Sequence, residues 1–190
     1  MNKRMKLMGL LLLAATAQMS GKVKLAYEVT PDTVNHYLNV ELTCQDAQQP
    51  FLLKMPVWAP GYYLIVDFPK YLTDFSAQDV SGNPVAWTKE GKNGWKIQPQ
   101  GGTVKVKYRI FANERSVAEC RVEDQMAFVA PNGVFMYVDG EKDSPVKVSY
   151  RLPSNWKNIS TGLNRVGRTP SRLPMPTCST TRPYSWATTS

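Results

Sequence analysis

The sequence predicts an all-β domain, built as a two-layer antiparallel β-sandwich or as a strongly curved sheet. Apolar and polar residues alternate in several stretches, the pattern of a strand with one buried face. Pairs and clusters of Gly, Pro, Asn and Asp separate these stretches, for example at residues 31–32, 81–84 and 101–102, and such residues form turns. No window has the period of an amphipathic helix. About ten short strands at this spacing are typical of sandwiches.

The individual strands are predicted from apolar runs in chain order. Four show clear alternation, at residues 23–29, 38–42, 104–110 and 146–152. Shorter runs predict six more, at residues 51–57, 84–89, 94–98, 116–122, 126–130 and 133–138. The chain has 190 residues, which is enough for one domain with a substantial core.

The first residues resemble a secretory signal peptide rather than part of the domain. Residues 2–6 contain three basic side chains, residues 7–14 are apolar, and Ala15-Thr16-Ala17 fits a cleavage site. The apolar run is too short for a permanent membrane anchor, and no cysteine follows it to carry a lipid. We predict a signal peptide at residues 1–17 and a mature start near Gln18. The product is expected to be periplasmic or extracellular, without membrane association after cleavage.

The charge of the chain does not indicate nucleic-acid binding. The formal net charge is +8, but three basic residues lie in the signal peptide and four arginines lie in the acid-free residues 164–190. Without these seven, 16 basic and 15 acidic residues remain. A nucleic-acid footprint needs Lys and Arg clustered on one face, so we exclude this class of partner.

The three cysteines are far apart and form no C-x-x-C motif. Export permits a disulfide between Cys44 and Cys120. Two free, buried thiols are an equally compatible alternative, because sequence alone cannot show that the two residues meet.

Residues 55–68 predict the end of a strand followed by a tight corner. Pro60 fixes its φ angle and Gly61 tolerates a positive one, so the two residues favour a turn. Trp58, Tyr62 and Tyr63 follow as large aromatics around this corner. They are either core residues of the β domain, with Trp58 and its neighbour at 57 largely buried, or a surface that contacts another domain or a ligand.

The sequence offers few residues for catalysis. His36 is the single histidine and lies on a predicted strand, whereas a zinc site needs three or four converging ligands. The motifs H-E-x-x-H and G-x-S-x-G, a phosphate-binding loop and a Cys–His pair are all missing. Asp67 and Asp74 flank the corner, a common place for acidic residues. We therefore predict no catalytic, cofactor-binding or metal-binding residue in this chain.

The stretch M-P-V-W-A-P-G-Y-Y-L-I-V-D-F at 55–68 resembles the hallmark segment of a known family. This is the N-terminal domain of the glycyl aminopeptidase family of zinc metallopeptidases, with a usual form close to P-x-W-x-P-G-S-Y-x-I-R-D-F/Y. Three more segments agree in order: Y-E-V-T-P-D at 27–32, V-K-Y-R-I-F-A-N at 106–113 and P-S-N-W-K-N-I-S-T-G-L at 153–163. The sequence departs from the family form at two positions: Tyr62 stands where the family usually has Ser, and Val66 stands where it usually has Arg. No role of that Arg is therefore transferred to this chain.

The resemblance implies that residues 18–163 are a non-catalytic domain. In that family the β-rich domain precedes a thermolysin-like catalytic domain with H-E-x-x-H, and the whole enzyme removes small N-terminal residues such as Gly and Ala from peptides. The implied partner is the catalytic domain of the same polypeptide, and the implied zinc belongs to that missing domain. The candidates for domain contact or a substrate-facing role are Trp58, Tyr62, Tyr63 and Asp67.

Residues 164–190 differ in character, with four prolines, four arginines and no acid. They predict a disordered tail, and their codons suggest its origin. Decoding that starts one nucleotide earlier can read D-A-D-[L/V]-F-Y-D-S-P-L-L-L-G-N-Y from Pro174 onward. This reading resembles the family's D-x-D-x-L-x-D-S-P-x-x-x-G junction into the catalytic domain. We therefore predict a frameshifted tail in preference to a natural linker.

The alternative function is a free-standing periplasmic module that binds a peptide or a glycan. It would use Trp58, Tyr62, Tyr63 and Trp95 as its binding surface. The two hypotheses differ in their surfaces, because a domain without its partner exposes a large apolar patch whereas a free-standing module has a polar surface.

Overall fold

Twelve strands and two short 3-10 helices make up the computed structural model, which describes residues 22–59, 61, 63–116, 118–141, 144, 146–163 and the backbone of 177–180. The helices are Phe68–Tyr71 and Pro131–Gly133. The strands are β1 (Lys24–Asp32), β2 (Tyr37–Gln45), β3 (Phe51–Lys54), β4 (Leu72–Asp79), β5 (Ala86–Glu90), β6 (Gly94–Gln98), β7 (Val104–Phe111), β8 (Arg121–Val122), β9 (Ala127–Phe128), β10 (Tyr137–Val138), β11 (Val146–Tyr150) and β12 (Thr177–Thr180). The predicted all-β sandwich is confirmed.

Two principal sheets pack face to face. The large sheet has the order β12-β11-β1-β2-β7-β4, the small sheet has the order β10-β3-β6-β5, and β8 and β9 form a separate hairpin. Every described pairing is antiparallel except that of β1 with β11, where Leu25 lies opposite Val146 and Val29 lies opposite Tyr150. The first strand of the domain thus lies between β2 and a strand from the other end of the sequence.

The core lies between the sheets and follows the period of two in the sequence. In β1, Leu25, Tyr27 and Val29 are buried while their neighbours are partly or fully exposed. Strand β7 repeats this with four buried residues, Val104, Val106, Tyr108 and Ile110. Burial of one face of each strand is the main stabilising term of such a fold.

One strand of the large sheet, β4, is not predicted by the pattern. Of its eight residues only Ala77 is buried, so no apolar alternation marks it. Its register with β7 shifts between Thr73 and Ser76, and Asp74 has a φ of 54°. These are features of an edge strand with a β-bulge, which twists the edge and limits pairing with other chains.

Several predicted strands are shorter in the structure, most notably around residues 133–138. Val134, Phe135 and Met136 are buried but belong to no strand, so their backbone groups need other partners. Tyr108 donates its hydroxyl to the Val134 carbonyl at 2.6 Å. The Tyr27 hydroxyl donates to the Met136 carbonyl at 2.6 Å and accepts the Met136 N–H at 3.1 Å. Two tyrosines of the large sheet therefore hold this irregular segment.

Cys44 and Cys120 are both buried and free. The structure therefore contains two free thiols and no disulfide between these residues. Burial raises the pKa of Cys44 and raises that of Cys120 to about 12, so both thiols stay protonated at neutral pH. Such thiols are poor nucleophiles.

The ends of the chain are described only in part. The predicted signal peptide lies outside the described residues, as does most of the predicted disordered tail. Within that tail, β12 pairs antiparallel with β11, and Ser179 lies opposite Lys147. No helix of the described residues is long and apolar enough to cross a membrane.

Candidate functional site

The segment between β3 and β4 carries the chain from the small sheet to the large one. Val66 donates its N–H to the Val57 carbonyl at 2.9 Å, which closes an excursion of residues 58–65, here named the crossover loop. Gly61 has a φ of 81° and lies in a turn, as predicted. Pro60 and Tyr62 lie outside the described residues. The crossover loop is thus a projection with a closed base.

Two asparagines fasten the base of the crossover loop. Asn93 accepts the Met55 N–H with its carbonyl at 2.9 Å and donates its side-chain N–H to the Met55 carbonyl at 2.9 Å. Asn132 donates its side-chain N–H to the Trp58 carbonyl at 3.1 Å. The two bonds of Asn93 tie the base of the loop to the β5–β6 turn, and the bond of Asn132 ties it to the helix Pro131–Gly133.

The far end of the segment is fixed by packing. Asp67 has a φ of 51° and precedes the helix Phe68–Tyr71, whose first residue is only 1% exposed. Phe68 packs over Gly133, where an added β-carbon would lie 3.1 Å from Cδ1 of the ring. The Asp67 carboxylate lies 3.5 Å from the Lys92 ammonium, an exposed pair of the kind that contributes about 0–1 kcal/mol.

The tip of the crossover loop is exposed and apolar. Tyr63 is 99% exposed, Leu64 67% and Ile65 73%. Trp58 is 37% exposed, so the prediction that it is largely buried is wrong, whereas Val57 is of intermediate exposure. The reason is that β3 ends at Lys54, which leaves the Trp58 ring beyond the end of the sheet.

The crossover loop therefore joins two of the candidate residues on one projection, Trp58 and Tyr63, with Asp67 at its far end. Leu64 and Ile65 were missed as candidates. A signal for them exists in the sequence, because the apolar run at 63–66 follows a Pro-Gly turn and lacks the alternation of a half-buried strand.

Trp95, the fourth aromatic of the alternative binding surface, lies in the core. It is 3% exposed and stacks on Phe75 with ring centroids 5.4 Å apart. The Lys89 ammonium lies 3.2 Å from the centroid of its ring. Since the side chain is almost completely buried, the Trp95 ring is not available to a ligand.

His36 has a structural position in the turn between β1 and β2, with a φ of 57°, and not on a strand as predicted. Its Nδ1 atom lies 2.7 Å from the Val122 carbonyl, which can only accept, so Nδ1 carries the proton. Asp74 pairs with Arg109 at 3.3 Å, apart from Asp67. Among the residues that the structure describes, no three His, Cys, Asp or Glu side chains are grouped as metal ligands.

A shallow groove of about 290 Å³ lies near the beginning of β1, where Val23, Pro50, Asp139 and Glu141 are among its lining residues. Both of its carboxylates have partners already. Asp139 pairs with Lys54 at 2.9 Å, and Glu141 accepts the Val23 N–H at 2.9 Å. The groove therefore serves the packing of the first strand.

Replacing Trp58 by Ala is expected to lower the free energy of unfolding by about 1–2 kcal/mol, because only part of the ring is removed from water. A core aromatic would cost about 3–5 kcal/mol. Urea unfolding measures the difference, and Tyr63→Ala is the matched control, expected to stay within about 0.5 kcal/mol. A loss of the full core value for Trp58→Ala would contradict the exposed position of the ring.

A family comparison and one solved structure agree with this architecture. The family described as the Peptidase M61 N-terminal domain matches residues 26–177. An aminopeptidase N family protein from Idiomarina loihiensis has a similar structure, with a TM-score of 0.74 and 26% identity over 83% of this chain. Leukotriene A4 hydrolase from Saccharomyces cerevisiae is more distant, with a TM-score of 0.46 and 10% identity over 85% of this chain. The present chain spans 27% of the length of either protein. No curated protein matches it.

Proposed function

Because this chain belongs to the Peptidase M61 N-terminal domain family, we propose that it is the non-catalytic N-terminal domain of an exported glycyl-aminopeptidase-like zinc metallopeptidase. In this proposal it packs on a catalytic domain of the same polypeptide. The whole enzyme acts on peptides and removes N-terminal Gly or Ala. The proposal also includes a change of reading frame after residue 163, which rests on the acid-free composition of residues 164–190.

The observation that carries the proposal is the apolar tip of the crossover loop on its fastened base. Three successive large side chains, Tyr63, Leu64 and Ile65, are between 67% and 99% exposed. Exposed contiguous apolar surface marks interaction sites in soluble proteins. The hydrogen bonds accepted by the Val57 and Trp58 carbonyls fix the base of the loop, and ordering at the base lowers the conformational entropy that is lost on binding.

The residues of this chain do not fit a catalytic zinc ion. A catalytic zinc takes three protein ligands and an open position for water. His36 is the single histidine of the sequence, and among the described residues no three His, Cys, Asp or Glu side chains are grouped as metal ligands. The zinc and its chemistry are therefore assigned to the catalytic domain of the proposed enzyme.

The free-standing binding module remains the second candidate, favoured by the fully exposed ring of Tyr63. The burial of Trp95 opposes it, because the proposed aromatic surface is not assembled. Titration with glycine-rich peptides and with oligosaccharides, followed by tryptophan fluorescence, separates the two. We expect no saturable change. A saturable change that Tyr63→Ala abolishes would favour the module.

The nucleotide sequence beyond codon 163 tests the proposed function directly. We expect the neighbouring frame to continue past the codon of Ser190 and to encode an H-E-x-x-H segment. Stop codons in every frame, with no such motif downstream, would remove the basis for a missing catalytic domain.

The exported form is expected to begin at or near Gln18. The basic start, the short apolar run and Ala15-Thr16-Ala17 together form the substrate pattern of a signal peptidase. Intact-mass measurement of the protein from the extracytoplasmic fraction checks this, with Ala17→Arg as the control that should block cleavage. An exported protein that retains Met1 would contradict the prediction.

A further inference from the structure

The two sides of the large sheet differ in how regular their outer strands are. At the β4 edge the register with β7 shifts between Thr73 and Ser76, and Asp74 has a φ of 54°. Such a bulge twists an edge and limits pairing with a further strand. On the other side, β11 keeps one unbroken parallel register with β1 from Val146 to Tyr150. Taken by itself, β11 is therefore a regular edge that another strand can join.

The sequence of β11 gives this edge little protection of its own. Val146 is 5% exposed and Val148 is 2% exposed, and both belong to the core between the sheets. The strand contains no proline, and Lys147 is its one charged residue. Proteins protect their edge strands with charges, prolines, bulges or a covering segment. Of these devices, a covering segment is the one that the structure supplies at β11.

The main-chain groups of β11 point alternately to its two sides. Arg151, just after the strand, donates its N–H to the Val29 carbonyl of β1 at 2.9 Å. Successive residues of a strand direct their N–H and C=O groups to opposite neighbours. Residues 147 and 149 therefore face β1 as Arg151 does, whereas Val146 and Val148 face outward. These two residues present main-chain donors and acceptors along the outer edge of β11.

The strand β12 meets the outward groups in register. The antiparallel pairing places Thr180 opposite Val146 and Cys178 opposite Val148. Because Val146 and Val148 face outward, these are the hydrogen-bonded pairs of the ladder, and each pair exchanges two main-chain bonds. The main-chain groups that β1 leaves unpaired on β11 thereby gain partners.

The sequence around β12 favours a short strand that ends the sheet. Two of its four residues, Thr177 and Thr180, are β-branched, and such residues favour strands. Pro176 directly precedes the strand, and Pro183 lies shortly after it. A proline has no N–H to donate to a ladder, so the strand stays short. Short edge strands resist further pairing.

We propose that the outer edge of β11 is a strand-accepting site and that residues 177–180 of this chain are its occupant. The class of ligand is an extended polypeptide segment, which such an edge recognises chiefly through the main chain. Since every residue except proline offers the same main-chain groups, the extended form of the occupant matters more than its sequence. The inference does not depend on the proposed function or on the reading frame that encodes residues 177–180.

A contact in the unaltered chain tests the pairing directly. Lys147 and Ser179 are opposite each other and form a non-hydrogen-bonded pair, in which the two Cα atoms lie only about 4.5 Å apart. Nuclear Overhauser spectroscopy should therefore show a strong cross-peak between the Hα protons of the two residues. Absence of this cross-peak in a well-folded chain would overturn the inference.

Two proline variants of the full 190-residue chain test the site by amide hydrogen exchange. Cys178→Pro removes an N–H that donates to Val148, so the Val146 and Val148 amides should exchange at least about tenfold faster. Ser179→Pro is the matched control, because its N–H points away from β11 and an outward proline is tolerated in an edge strand. This control should leave the exchange of both amides unchanged.

Two further controls separate the loss of pairing from other effects of the substitution. The amides of Lys147 and Ser149 face β1, so they should exchange equally in every form of the chain. Cys178→Ala removes the thiol but keeps the N–H, so it should retain slow exchange at Val146 and Val148. Equal exchange of the two valine amides in Cys178→Pro and Ser179→Pro would overturn the inference.

The oligomeric state distinguishes the tail of the same chain from a second copy as the occupant. We expect the unaltered chain to sediment as a monomer. A concentration-dependent dimer of Cys178→Pro would support the inference, because the uncovered edge would then accept another strand. A dimer of the unaltered chain, with Val146 and Val148 protected only at high concentration, would overturn it in favour of a second copy.

Discussion

Restoring the reading frame that we propose to change after codon 163 is expected to give a zinc-dependent aminopeptidase, whereas we expect no peptidase activity from the chain that ends at Ser190. The neighbouring frame can spell the D-S-P junction of the family, and the solved relative from Idiomarina loihiensis extends well beyond the domain that this chain matches. Hydrolysis of glycyl and alanyl p-nitroanilides should rise from background to turnover numbers on the order of 1–10³ per second. A chelator should remove the activity, and added Zn²⁺ should restore it.

Two controls accompany the frame restoration. The chain that ends at Ser190 should stay inactive with Zn²⁺ present, since it carries a single histidine. The restored protein with Gln in place of the Glu of H-E-x-x-H should bind zinc but lose activity, because that Glu serves as the general base. Activity of the short chain itself would contradict the assignment of this domain as non-catalytic.

Replacing Tyr27 by Ala is expected to lower the free energy of unfolding by about 3–5 kcal/mol, the largest effect that we expect for a single substitution. The ring is 2% exposed and packs edge-on against Phe135 with centroids 5.0 Å apart. Tyr27→Phe keeps the ring but removes two hydrogen bonds to Met136. Each hydrogen bond contributes about 0.5–1.5 kcal/mol, so the free energy of unfolding of this variant should fall by about 1–3 kcal/mol.

Urea unfolding followed by far-UV circular dichroism measures these differences. Tyr63→Phe is the matched control, since it removes the same hydroxyl from a ring that is 99% exposed, and it should change stability by less than about 0.5 kcal/mol. If Tyr27→Phe were as neutral as Tyr63→Phe, the hydroxyl would not hold the 134–136 segment in solution.

The fold was predictable where burial has a period of two. β1, β2, β7 and β11 lie close to the predicted positions because each buries alternate residues. β4 was not predictable, since seven of its eight residues are exposed or only partly buried and its pairing with β7 decides its conformation. β3 is shorter than predicted because Pro56 has no N–H to continue the ladder.

The sequence predicts where the candidate interface lies along the chain, but it does not predict which way its side chains point. The Pro-Gly corner and its aromatics identify the crossover loop, yet sequence does not show on which side of a corner a ring lies. Trp58 and Trp95 illustrate this, because the first is 37% exposed and the second 3%, although both looked like candidates for a binding surface.

The parallel pairing of β1 with β11 makes folding depend on almost the whole domain. The five pairs from Leu25–Val146 to Val29–Tyr150 cannot form until the chain has been synthesised as far as residue 150. Contacts between residues so distant in sequence slow folding, and until they form one side of β1 is an open edge that invites aggregation. The ladder between β1 and β11 ends at residue 150, so a change of reading frame after codon 163 would leave it intact.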